Sequence, residues 1–215
     1  MGPYASNNLG LHVGDEETNV LANRRALRES LALPGEPAWL MQTHSTCCVV
    51  IENDKERTAD AAITRQKNQP LVIMTADCLP ILLCNTAGTE IAAIHAGWRG
   101  LLNGIVQHTL EKMHAPPETL LAWIGPAICQ ACYEVGKEVK EQFTGRYPFT
   151  ASAFDGRLAN LPLMADLVLR SQGVTAVYHS DICTFEQNTT CYSYRRESQT
   201  GRMGTLIWFN DFKDN

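Results

Sequence analysis

"LVIMTADCLPILLC" at residues 71–84 and "EIAAIHAGWRG" at residues 90–100 decide how this chain is read. Each opens as a continuous apolar run of strand length, and runs without alternation mark strands buried on both faces. The first kinks at Asp77 and Cys78, and a turn at "AGT" leads the chain into the second. After His95 the glycines of "HAGWRG" give way to Leu101, Leu102, Ile105, Val106, Leu110 and Met113 at helical spacing, so this segment is a strand-to-helix turn. Two residues able to bind a metal, Cys78 and His95, therefore stand at the ends of buried strands.

Outward from this centre, Asp15 is a plausible N-cap for a helix carrying Val20, Leu27 and Leu31, which stops before "PGEP". "AWLMQT" and "TCCVVIE" read as strands, with "THST" as a tight connection that puts His44 at a strand end. A polar stretch covers residues 53–69. Farther on, "LLAWI" is a strand, while Val135, Val139 and Phe143 mark a helix ending at Gly145. Residues 161–169 form another helix, ending near Gly173. "VTAVYHSDICT", "TCYSYRR" and "MGTLIWF" are strand-like. With neither repeat nor linker, the pattern predicts one α+β domain over residues 1–215, built on mixed sheets rather than a purely doubly wound one.

At 215 residues and 45% hydrophobic content the chain can bury a real core. A net charge of -5 and a pI near 5.7 argue against nucleic acid or an anionic membrane as the main partner, because phosphate backbones and acidic headgroups demand clustered Lys and Arg. No apolar run approaches the roughly 20 residues of a membrane helix, and "MGPYASNN" lacks the basic and apolar parts of a signal peptide. The expectation is a cytoplasmic chain whose eight cysteines are reduced thiols. The turn-like opening suggests that an N-terminal element precedes the sequence given.

His44, Cys78 and His95 each fall at a predicted strand end, where a sheet can gather side chains on one rim. Two imidazoles and a thiolate are a known catalytic zinc ligand set, with the fourth position left for a water whose pKa falls toward ~7. The same atoms with Met74 as a weak axial ligand would suit copper, although six histidines are too few for several imidazole-rich copper centres. A metal-free alternative makes Cys78 a nucleophile with His95 as its base and Asp77 beside them. Arg99 opens the helix after "HAG", where free backbone N–H groups favour an anion, and its guanidinium suits phosphate or carboxylate. Trp98 could stack on a flat substrate or simply pack. "CQAC" at residues 129–132 lacks a second CxxC and reads as structural. Cys47 and Cys48 point to opposite faces of a strand. His12, His108, His114 and His179 are not expected to be ligands. Arg195 and Arg196 read as surface charges that could supply an anion contact.

"NNLGLHVGD", "QTHS", "TADCLPILLCN", "AIHAGWRG", "IGPAICQACYEVG" and "CYSYRR" followed by "TGRMGTLIW" closely resemble, in order, the YfiH family, also called the laccase-domain or multicopper polyphenol oxidase family. The resemblance runs from Pro3 to about Trp208. It implies α/β/β/α layers similar to the catalytic domain of cytotoxic necrotizing factor, with a metal triad on His44, Cys78 and His95. At such a site Cys78 and His95 are the catalytic groups with Asp77 as proton shuttle for a metal-bound hydroxide, and Arg99, Asn8 and Gln42 are the candidate substrate contacts. The activity implied is phosphorolysis of adenosine, inosine and methylthioadenosine with deamination of adenosine, and zinc as cofactor. The family also carries copper-dependent polyphenol oxidase activity and amidase editing of UDP-muramoyl peptidoglycan precursors, and a non-catalytic metal-containing binding module is a further alternative. The expected partners are a purine nucleoside and phosphate, or a UDP-muramoyl precursor, with no nucleic acid and no membrane. Members usually begin with an extra strand and a Thr/Ser-x-Arg, Gly-Gly segment that is absent before "NNLG" here.

Overall fold

A computed structural model describes residues 2–4 and 6–210. The first half of the chain forms α1 (Glu17–Ser30), β1 (Cys48–Val50), β2 (Ala61–Thr64), β3 (Leu71–Thr75), β4 (Leu79–Asn85), β5 (Ile91–Ala96), α2 (Trp98–Asn103) and α3 (Ile105–Lys112). The second half adds β6 (Leu120–Ile124), α4 (Lys137–Arg146), β7 (Phe154–Asp155), β8 (Leu158–Ala159), α5 (Leu161–Ser171), β9 (Ala176–His179) and β10 (Met203–Ile207). No helix among the described residues is long and apolar enough to cross a membrane.

Six strands make the main sheet, in the order β1-β2-β5-β4-β6-β9. Its inner pairs are antiparallel and its two outer pairs, β1 with β2 and β6 with β9, are parallel. β3 and β10 form a separate antiparallel ribbon. Alternation along β5 explains why "IAAIHA" is apolar at every position before its histidine. Ala92, Ile94 and Ala96 enter the core shared with α2, α3, α4 and α5, while Ile91 and Ala93 enter a second core with Leu71 and Ile73 of the ribbon. By the same alternation His95 points to the ribbon side. α1 lies outside the ribbon, buries Val20, and reaches Met74 of β3 through Arg24. The molecule is therefore an α+β fold with mixed sheets in α/β/β/α layers, as expected.

Several local readings differ. "AWLMQT" contributes only single bridges at Ala38 and Met41. "TCYSYRR" is a series of turns, because the Ser193 hydroxyl and the Arg195 N–H both donate to the Asp77 carboxylate, which competes with a strand ladder. Glu16, not Asp15, is the N-cap of α1. Asp15 accepts from Asn8 Nδ2 at 3.0 Å and from the Glu16 N–H at 2.8 Å. The apolar spacing over 101–113 spans two helices, which break at Gly104, whose φ of 102° is a left-handed conformation that glycine adopts without penalty.

Candidate active site

The register of β4 against β5 pairs Leu79 with Ala96 and Pro80 with His95, which brings the end of β5 level with the turn holding Cys78. That turn is strained at Asp77, a non-glycine residue with φ of 93°. Its carboxylate accepts from Thr184 Oγ1 at 2.6 Å, Ser193 Oγ at 3.0 Å and the Arg195 N–H at 2.7 Å. Its carbonyl accepts from the Ile128 N–H at 3.1 Å. Three distant segments thus hold the turn that aims Cys78.

His44 and His95 share one anchor, Asp60, which is fully buried at the start of β2. Asp60 lies 2.7 Å from His95 Nδ1, leaving Nε2 as the ring nitrogen available to a ligand. It also accepts from the N–H groups of Thr43, His44 and Ser45 and from the Ser45 hydroxyl at 2.7 Å. This collar of donors holds His44 in a loop with φ of 60°, so His44 is not at a strand end as its neighbours suggest. His44 Nε2 is 3.7 Å from Cys78 Sγ, and the two imidazoles meet edge to face with centroids 4.8 Å apart. The ligand atoms of His44, Cys78 and His95 all lie within 4.8 Å of one another.

Gly97 closes the back of this group. A Cβ there would come within 2.6 Å of His44 Cδ2 and 3.1 Å of Cys78 Sγ, so the triad occupies the space a side chain would need. Two imidazoles and a thiolate converging in that cradle, with a cleft beyond, fit a metal ion of the zinc or copper class.

The charges of the group are mutually dependent. Burial raises the Cys78 thiol, but hydrogen bonds from His44 and His95 and the charge of His95 outweigh it and bring the thiol down to about 6. Burial opposes charge on His95, yet its bonds to Asp60 and Cys78 lift it to about 9. Asp60 falls to about 2 despite burial, because His95 and Ser45 donate to it. Without a metal, the group is a carboxylate, an imidazolium and a thiolate in sequence.

The triad opens into a cleft of about 490 Å³ whose wall includes Gln42, Asp77, Trp98, Arg99, Arg195 and Arg202. Arg99 is exposed over the Trp98 ring at 4.3 Å, and Arg195 lies 5.0 Å from the centre of the Tyr133 ring. Gln42 lines the wall while its amide bonds the N–H and carbonyl of Met74, extending the edge of β3. Asn8 does not line the cleft. It is fully buried, and its Oδ1 accepts from the N–H groups of Gly10 and Arg202, so it positions Arg202.

Sequence reading missed Asp60, Arg202, His12 and Tyr133 as parts of the site. Asp60 left one signal, an acidic residue directly before the buried run "AAIT". The other three lie within the motifs "NNLGLHVGD", "IGPAICQACYEVG" and "TGRMGTLIW", but no local pattern marks them as cleft residues, because they enter the cleft from segments remote in sequence.

The sequence pattern of the family described as "Multi-copper polyphenol oxidoreductase laccase" matches residues 1–210. A Haemophilus influenzae protein named "Purine nucleoside phosphorylase" is 43% identical over 217 residues, covering 97% of this chain and 89% of the relative. An Escherichia coli protein named "Purine nucleoside phosphorylase YfiH" is 42% identical, covering 96% and 87%. The crystal structure of Neisseria meningitidis protein NMB0706 superposes with a TM-score of 0.92 at 42% identity, covering 98% of this chain and 89% of that one. With its fold and nearly its full length matched in this way, the chain belongs to the YfiH, or multi-copper polyphenol oxidoreductase laccase, family.

Proposed function

We propose that the chain is a zinc-dependent purine nucleoside phosphorylase that also deaminates adenosine. The observation that carries this reading is the convergence of Arg99, Arg195 and Arg202 on the cleft beside the triad, in a chain whose net charge is -5. An overall acidic protein that lines one cleft with three arginines is equipped for a small anion there. The relatives named purine nucleoside phosphorylase supply the substrate class.

In phosphorolysis a phosphate oxygen bonds to C1′ of the ribose as the bond from C1′ to the purine nitrogen breaks, and a proton ends on the released base. The arginines would hold the phosphate against the sugar, and holding two reactants in place removes much of the entropic barrier. Trp98, Tyr133 and Tyr194 offer flat faces for the purine. His12 is held below its usual value by burial and by the charges of Arg202 and Arg24, which leaves a neutral imidazole on the cleft wall as a hydrogen-bonding group. Asp77, whose oxygens are occupied by three donors, acts here as a positioning residue for Cys78 and not as a proton shuttle.

His44, Cys78 and His95 would hold the zinc, with Asp60 fixing the His95 imidazole through Nδ1 and the loop that carries His44 through its backbone N–H groups. Bound zinc supplies a Lewis acid with an exchangeable position, the chemistry that attack of water on a purine ring requires. Zinc is favoured over copper because Met74 Sδ, the candidate axial ligand, lies 3.6 Å from the Arg24 guanidinium. The eight cysteines, all free thiols, suit a reducing cytoplasm.

The test is chromatographic analysis of products from adenosine, inosine and methylthioadenosine, with and without phosphate. Phosphate-dependent release of free base supports phosphorolysis, and inosine formed from adenosine supports deamination. Absence of both, with copper-dependent oxidation of phenols or hydrolysis of a UDP-muramoyl precursor in their place, overturns the proposal.

A further inference from the structure

The CxxC pair at residues 129–132 stands apart from the triad, across the short helical turn Gln130–Cys132. It looks incomplete in sequence, but the fold brings Cys183 and Glu186 to it. Ala127 bridges to Cys183, and the Thr184 N–H donates to the Ala127 carbonyl at 3.0 Å, which fixes the two segments side by side. The three Sγ atoms and a Glu186 carboxylate oxygen all lie within 4.8 Å of one another. Glu186 Oε1 is 4.0 Å from Cys129 Sγ and 3.8 Å from Cys132 Sγ. The edges of a tetrahedral zinc site, with bonds of about 2.3 Å to sulfur, are about 3.7 Å. The four groups are therefore already at nearly the separation one ion imposes.

We propose that Cys129, Cys132, Cys183 and Glu186 form a second zinc site, structural and independent of the triad. Three thiolates and one carboxylate are a closed, soft, four-ligand set of the kind that holds zinc without an open position. A disulfide would use only two of the sulfurs and leave the third and the carboxylate without a role. The Cys129 N–H donates to Cys183 Sγ at 3.4 Å, the outer support that thiolate ligands receive. A neighbouring cleft of about 390 Å³, lined in part by Cys129 and Cys183, gives the ion a path from solvent.

The site has a consequence for the cleft. One segment it joins carries Ile128 and Tyr133 into the cleft wall, and the other carries Thr184, whose hydroxyl holds Asp77. The second ion would staple together two of the segments that shape the first site.

The experiment is elemental analysis of the full chain purified without added metal, together with cobalt substitution. The wild type is expected to hold two zinc ions and the double variant His44→Ala/His95→Ala one. Cys129→Ser/Cys132→Ser is expected to lose one equivalent and keep the other. Should that variant fail to fold, cobalt(II) added to the His44→Ala/His95→Ala protein decides the matter, since three thiolates give strong near-ultraviolet charge-transfer absorption with tetrahedral bands in the visible. A triad-deficient protein that binds neither zinc nor cobalt overturns the proposal, as does a native mass lower by two hydrogens with the disulfide mapped to these cysteines.

Discussion

Gly97→Ala tests whether the triad is held by the shape of its cradle. Gly97 has φ of -68° and ψ of 165°, a conformation alanine adopts freely, so the substitution adds no backbone strain. Its whole effect is steric. The new methyl would stand 2.6 Å from His44 Cδ2, where carbon atoms normally rest about 3.5–4.0 Å apart, so the ring must retreat by about 1 Å. Metal ligands tolerate departures of only about 0.2 Å. His44 has little other room, because its N–H is bonded to Asp60 at 3.0 Å and its backbone is already left-handed. The expected result is a zinc affinity at the triad at least ~100-fold lower, or about 3 kcal/mol, with the fold retained. Competition against a chromophoric chelator measures it, with circular dichroism to check folding. Gly100→Ala is the control, since a Cβ there meets only ordinary contacts, the nearest at 3.4 Å to the Ser45 carbonyl oxygen. A Gly97→Ala protein that binds zinc as tightly as the wild type would refute the cradle.

Four further outcomes follow from the same geometry. Arg99→Ala is expected to raise the KM for phosphate ~10- to 100-fold, the worth of a charged hydrogen bond, while metal content stays unchanged; equal phosphate kinetics would remove Arg99 from the anion site. Asp60→Asn is expected to weaken zinc binding ~10- to 100-fold, read by the same chelator competition, because it disturbs the His95 imidazole and the loop that carries His44. In wild type the Asp60 carboxyl sits at about 2 against an ordinary 3.8, so it stabilises the fold fully above pH 3.8, and about 2 kcal/mol is lost as pH falls toward 2. Acid denaturation of the chelator-treated protein should show this loss, and the Asp60→Asn protein should lack it. In chelator-treated protein, Cys78 should alkylate with a pH midpoint near 6 instead of its ordinary 9, and zinc should protect it; a midpoint near 9 would contradict the coupling to His44 and His95.

Much of the centre was legible in the chain itself. A strand buried on both faces has no alternation to obscure, so "LVIMT", "LPILLC" and "EIAAIHA" announced β3, β4 and β5, and the family motifs named His44, Cys78 and His95. What sequence could not assign were the partners that these residues acquire. "TCYSYRR" has the composition of a strand, yet two of its groups bond the Asp77 carboxylate more than a hundred positions earlier. Asp60 falls in the stretch over residues 53–69 that reads as polar, where the structure instead has the buried strand β2, and only the collar of His95 and the loop at residues 43–45 makes it the anchor of the triad. In the same way "CQAC" is half a site until the fold delivers Cys183 and Glu186. Local pattern determined the strands and the ligand types, because burial and backbone preference act over a few residues. The tertiary structure alone decided the charge state, the orientation and the neighbours of each group, because those depend on contacts between segments whose separation in sequence carries no periodic trace.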